Sequence, residues 1–158
     1  MMSKHSWSAR LAAGLLACAP IVATAIEPAE LVEKFPRGSL VLEAASLRCL
    51  HIHSLFADAP AQQRQGLMFV ERMDEFEGML FRYPQAMQIN MWMKNTLIPL
   101  DMLFIDADGT IINIAANTTP LSTRRVSSAR DVTQVLELNA GFARRWQLKP
   151  GNRLLLAE

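Results

Sequence analysis

The chain has 158 residues, a formal net charge of +1 and only two cysteines. That length suffices for one domain whose core needs no disulfide. The even balance of charge excludes the strongly basic surface of a nucleic-acid-binding protein.

The first 25 residues read as an export signal, with Lys4 and Arg10 as a basic start, an apolar stretch over 11–19 and Ala23-Thr24-Ala25 as a small-x-small cleavage site. The apolar stretch falls short of the roughly 20 residues that a membrane-spanning helix needs, and Pro20 interrupts it. The expected location is the periplasm or the secreted fraction. Leu15-Leu16-Ala17-Cys18 also has the outline of a lipoprotein signal, and acylation of Cys18 is the one route by which the sequence suggests a membrane anchor. Cleavage after Ala25 removes Lys4, Arg10 and Cys18, so 133 residues remain, with 14 basic and 15 acidic side chains. Cys49 is then free, paired between molecules or a metal ligand.

Residues 26–37 carry two prolines and mixed charges and read as an N-terminal extension, leaving 38–158 as a single domain. Strands are expected at 39–43 and 47–56. In the second, Leu50 and Ile52 face one way and Cys49, His51 and His53 the other. Asp58 is placed to cap a short helix with Pro60 in its first turn and Gly66 at its close. Residues 67–69 and 78–81 look like strand ends around the charged segment 71–77. Residues 98–105 and 110–115 predict a hairpin about the Asp108-Gly109 turn. A polar loop over 117–130 precedes a strand at 132–138, and Asn139-Ala140-Gly141 opens a helical turn that runs through Trp146. Pro150-Gly151 turns the chain into a last strand at 153–156. Short strands and turns about every ten residues predict a mainly β fold, a small jelly-roll-like sandwich or barrel with two or three short helices.

Several strings in order carry a resemblance: Gln65-Gly66-Leu67-Met68, Gly78-Met79-Leu80-Phe81, Trp92-Met93-Lys94-Asn95-Thr96, Ile98-Pro99-Leu100-Asp101, Phe104-Ile105-Asp106 and Val135-Leu136-Glu137-Leu138-Asn139-Ala140-Gly141. The chain resembles the bacterial and archaeal family known as domain of unknown function 192, over roughly residues 51–156. The resemblance implies a small β-rich, jelly-roll-like, often exported domain with no established activity. Where that family usually ends in a Gly-Asp turn, this chain has Gly151-Asn152.

Three constellations offer chemistry. Trp92, Lys94, Asn95, Thr96, Asp101 and Glu137 combine an aromatic face, an ammonium, an amide, a hydroxyl and two carboxylates. They suit a small ligand, a saccharide or an envelope-derived acid, stacked on Trp92 and hydrogen-bonded by the rest. Pairing of Lys94 with Asp101 or Glu137, with Asn95 and Thr96 tying a tight loop, would explain the same residues structurally. Cys49, His51 and His53 alternate along one strand face, with Cα atoms about 7 Å apart. They could offer a thiolate and two imidazoles to copper or zinc, although a third or fourth converging ligand is not evident. Met87, Met91 and Met93 could hold Cu(I), but methionine fills irregular cores equally well.

No Ser-His-Asp or Cys-His order fits a nucleophile, so turnover stays open. The first expectation is an exported domain that binds a small molecule without a cofactor. The alternatives are a periplasmic copper- or zinc-binding protein and a hydrolase using Asp101 and Glu137 as acid and base.

Overall fold

The computed structural model describes residues 35–44 and 48–156. The expected export signal, Cys18 and all but the last three residues of the expected extension lie outside the described residues. Seven strands form one sheet in the order β6-β5-β8-β3-β2-β1-β9. They are β1 (Arg37–Ala44), β2 (Arg48–Ala57), β3 (Glu77–Met87), β5 (Leu100–Ile105), β6 (Ile111–Ala115), β8 (Val132–Asn139) and β9 (Leu154–Leu156). Two-residue strands β4 (Asn90–Met91) and β7 (Val126–Ser127) form a separate ribbon. The helices are α1 (Pro60–Gln65) and α2 (Phe142–Arg145).

The sheet curls until its two edges touch. Thr110, just before β6, bridges Arg153, just before β9, and the Leu154 N–H donates to the Gly109 carbonyl at 2.7 Å. The mainly β expectation therefore holds, in a barrel-like form. Gly109, at φ +79, lets the β5–β6 hairpin turn there, and a Cβ on it would strike the Leu154 carbonyl oxygen. The Gly151-Asn152 corner is closed by the Asn152 side chain, which accepts from the Lys149 N–H at 2.8 Å.

The central strands are buried on both faces. Leu80 of β3, Leu103 and Ile105 of β5, and Leu136 and Leu138 of β8 fill the curled interior with Leu40, Leu42, Ile52 and Phe142. Their sequence neighbours Met79, Phe81, Met102, Phe104 and Val135 form a second core on the outer face with Leu67, Ile89 and Met93. This is why residues 100–105 read as a nearly continuous apolar run rather than an alternating one.

Strands β2 and β3 run parallel, so the chain must cross over between them. Residues 58–76 make that crossover, and their Leu67 and Val70 cover the outer face. Residues 67–69, expected as a strand end, are instead a turn within it. Asp58 does not cap α1. The N-cap is Ala59, the Gln62 side chain accepts from the N–H groups of Asp58 and Ala59, and the Asp58 carboxylate takes a two-pronged ion pair from Arg82.

Candidate functional site

The two carboxylates expected to share a site do not meet. Across the β5–β8 ladder, Asp101 is opposite Leu138 and Met102 is opposite Glu137. The carboxyls therefore point to opposite faces of the sheet. Asp101 is fully buried on the interior side, where one oxygen accepts from the Asn117 N–H and the other from the Ala143 N–H, both at 2.8 Å. It anchors the start of α2 and the end of the β6 connection.

Glu137 lies on the outer face between Met79 of β3 and Met102 of β5. It is 4% exposed, and among the described residues no donor is bonded to its carboxyl. It opens on a cavity of about 300 Å³ that is also lined by Gln65, Tyr83, Trp92, Lys94 and Thr96. Burial pushes the Glu137 carboxyl up to about 8, because removing a carboxylate from water disfavours its charged form. The Tyr83 hydroxyl is pushed up to about 12, first by burial and then by the nearby Glu137 charge. Gln65 contributes a buried side-chain N–H₂ group with no acceptor.

Two chain segments wall this cavity, and they are latched together. Phe69 in the crossover donates its N–H to the Asn95 carbonyl at 2.9 Å, and the Asn95 amide reaches the Met68 sulfur at 3.8 Å. Asn95 has φ +58, a conformation that asparagine tolerates better than most residues. It thus joins the walls from behind and does not line the cavity. Thr96 accepts at its carbonyl from the Leu121 N–H. Trp92 is half exposed at the rim, with the Lys94 ammonium 5.8 Å from its ring centroid.

Of the six residues expected to bind a ligand, Trp92, Lys94, Thr96 and Glu137 therefore line one cavity, Asn95 supports it, and Asp101 lies on the other face. Lys94 forms no ion pair with either carboxylate among the described residues. Gln65, Tyr83 and Asn90 line the cavity without having been singled out. For Gln65 the available signal was its place in the string Gln65-Gly66-Leu67-Met68.

Cys49, His51 and His53 do share the exposed face of β2, opposite Glu43, Val41 and Ser39 of β1. Among the described residues, no three His, Cys, Asp or Glu side chains converge as a metal site. Met93 is packed in the outer core and accepts from the Thr118 hydroxyl, Met91 accepts from Tyr83, and Met87 is exposed.

These features define a small curled β-sheet domain with a covered outer face and a cavity floored by a buried carboxyl. The family model for domain of unknown function 192, described as Uncharacterized ACR, matches residues 42–156, and the chain belongs to that family. A solved structure from Sinorhizobium meliloti 1021, named as a candidate transcription regulator, is 42% identical with a TM-score of 0.76, covering 77% of this chain and 95% of that one. A protein of unknown function from Novosphingobium aromaticivorans DSM 12444 is 33% identical with a TM-score of 0.76, covering 88% of this chain and 94% of that one. No curated protein matches.

Proposed function

We propose that this protein binds a small hydroxylated ligand, of the saccharide or envelope-derived class, in the cavity between the 58–76 crossover and the 88–98 loop, without turning it over. The observation that supports this most is Glu137. A buried polar group is normally hydrogen-bonded, and leaving one unpaired costs roughly 1–3 kcal/mol. Asp101, one strand away, shows how this fold satisfies a carboxylate when its role is structural. Glu137 instead borders the cavity, where a ligand's hydroxyl group would complete it. Trp92 offers the ligand an apolar face. With Asp101 on the other side of the sheet, the pair of carboxylates that hydrolysis by Asp101 and Glu137 would need does not flank the cavity, which supports recognition over that reaction. An export signal at the N-terminus would bring this domain to envelope-derived ligands.

Titrating the protein with a panel of mono- and disaccharides while following tryptophan fluorescence tests the reading. A binder should perturb the emission of the wild type, lose that signal in Trp92→Phe, and bind at least tenfold more weakly to Glu137→Ala. Equal binding by wild type and Glu137→Ala would remove this cavity from the account.

A further inference from the structure

Six large hydrophobic side chains are exposed among the described residues, and four of them stand on loops that are hydrogen-bonded to one another. They are Phe69 (45% exposed), Trp92 (50%), Leu97 (41%) and Leu121 (59%). Backbone hydrogen bonds hold their loops side by side: Phe69 N–H to Asn95 carbonyl, Leu121 N–H to Thr96 carbonyl, and Met93 N–H to Ser122 carbonyl. Phe69 and Leu121 take φ of +66 and +61, which is strained for a bulky residue. The fold thus holds two loop tips in unfavourable conformations and leaves their apolar side chains in water. Exposed apolar side chains on adjoining loops are what an interaction surface presents.

Charge indicates what the surface meets. The three segments that build it, 59–70, 88–100 and 116–130, contain no Asp or Glu, yet they carry Arg64, Lys94, Arg124, Arg125 and Arg130. Arg64, Lys94, Arg124 and Arg125 are exposed, and none forms an ion pair among the described residues. Exposed Glu71 and Asp131 adjoin the ends of these segments, so in a chain whose charges otherwise nearly cancel, five cations against two carboxylates remain a local excess. Trp and Phe beside Leu, ringed by Lys and Arg, is the composition that settles in the interfacial layer of a bilayer. Basic residues near an anionic bilayer are drawn to its surface, each adding to the affinity.

We propose that the face formed by Phe69, Trp92, Leu97 and Leu121 docks on an anionic lipid bilayer, with the loop tips entering the headgroup layer and the cations meeting lipid phosphates. The rim of the Glu137 cavity, at Trp92 and Lys94, lies on the same face, so docking would set the cavity mouth against the membrane. The proposal does not depend on what the cavity binds.

Vesicle flotation tests it, using phosphatidylcholine alone and phosphatidylcholine mixed with phosphatidylglycerol, together with quenching of Trp92 by brominated acyl chains. Trp92→Phe serves as the control that isolates this residue's signal. The quenching reports on the loop itself, so attachment through the N-terminal leader is not mistaken for docking. Binding and Trp92 quenching are expected on the phosphatidylglycerol vesicles only, weakening as salt is raised. The paired variants Leu97→Ser with Leu121→Asn, and Arg124→Glu with Arg125→Glu, should each weaken binding by about tenfold or more. Their circular dichroism melts should match the wild type.

Absence of Trp92 quenching, or binding that neither variant pair weakens, would overturn the proposal. Concentration-dependent self-association abolished by Leu97→Ser with Leu121→Asn, without vesicle binding, would likewise overturn it and identify the face as a contact between copies.

Discussion

Asp101 and Glu137 stand on neighbouring strands, both buried, and meet opposite fates. On the interior side, Asp101 has both oxygens occupied by backbone N–H groups of two separate segments. On the outer side, Glu137 faces a cavity with no donor among the described residues, and burial holds its carboxyl well above the ordinary range. The contrast separates a carboxylate that the fold uses for itself from one that the fold supports at a cost. Buried polar groups without partners are uncommon enough that each calls for a reason, and here the reason offered is a ligand.

The largest effect that bears on this contrast is expected at Asp101. Asp101→Ala leaves the buried Ala143 N–H and the part-buried Asn117 N–H without acceptors and should lower unfolding free energy by about 2–4 kcal/mol, measured by urea denaturation. Asp101→Asn keeps one acceptor and should lose roughly half as much. If Asp101→Ala were neutral, the structural assignment would fail.

Glu137 should behave in the opposite sense. Its folded-state pKa lies above its unfolded value, so the native state holds a proton that the unfolded chain releases. Stability should therefore be greatest at or below the ordinary carboxyl range and fall as pH rises toward about 8. Glu137→Gln should flatten that slope, which is on the order of a few kcal/mol, and should be as stable as the wild type or more so near pH 8. Thermal melts of both proteins across the range would show it.

Gly78→Ala probes the strand contact behind Glu137. Its Cβ would lie 2.6 Å from the Glu137 carbonyl oxygen and 2.8 Å from Leu138 Cδ2. Forcing β3 and β8 apart should cost about 1–3 kcal/mol by chemical denaturation and weaken ligand binding with it. The smallest stability effect is expected at the rim. Trp92→Ala should change unfolding free energy by less than about 0.5 kcal/mol while lowering saccharide affinity by about tenfold, measured by calorimetry.

Much of the fold was legible in the sequence. The alternation over Cys49–His53, the Asp108-Gly109 hairpin and the turn at Pro150-Gly151 are local signals, and the structure places each where its residues suggest. The crossover was not legible, because the parallel pairing of β2 and β3 is a tertiary choice and residues 58–76 have no period that announces it. Ribbon β4–β7 joins two-residue strands across 34 intervening residues, too short to leave a pattern.

The site was legible as composition and not as geometry. The strings around Trp92–Thr96 and Glu137 marked residues of the cavity, but Asp101 and Glu137 have equally apolar neighbours. Only strand register shows that they face opposite ways. Gln65 and Tyr83 reach the cavity through the crossover and the far end of β3, which no spacing along the chain reveals.

The most direct measurement is the titration of the Glu137 side-chain carboxyl by ¹³C NMR in the ligand-free protein, assigned by its loss in Glu137→Gln. A midpoint near 8 is expected, moving once a ligand enters the cavity. A midpoint in the ordinary carboxyl range, near 4.3, unmoved by any saccharide, would mean that Glu137 is already solvated or paired and would contradict the account.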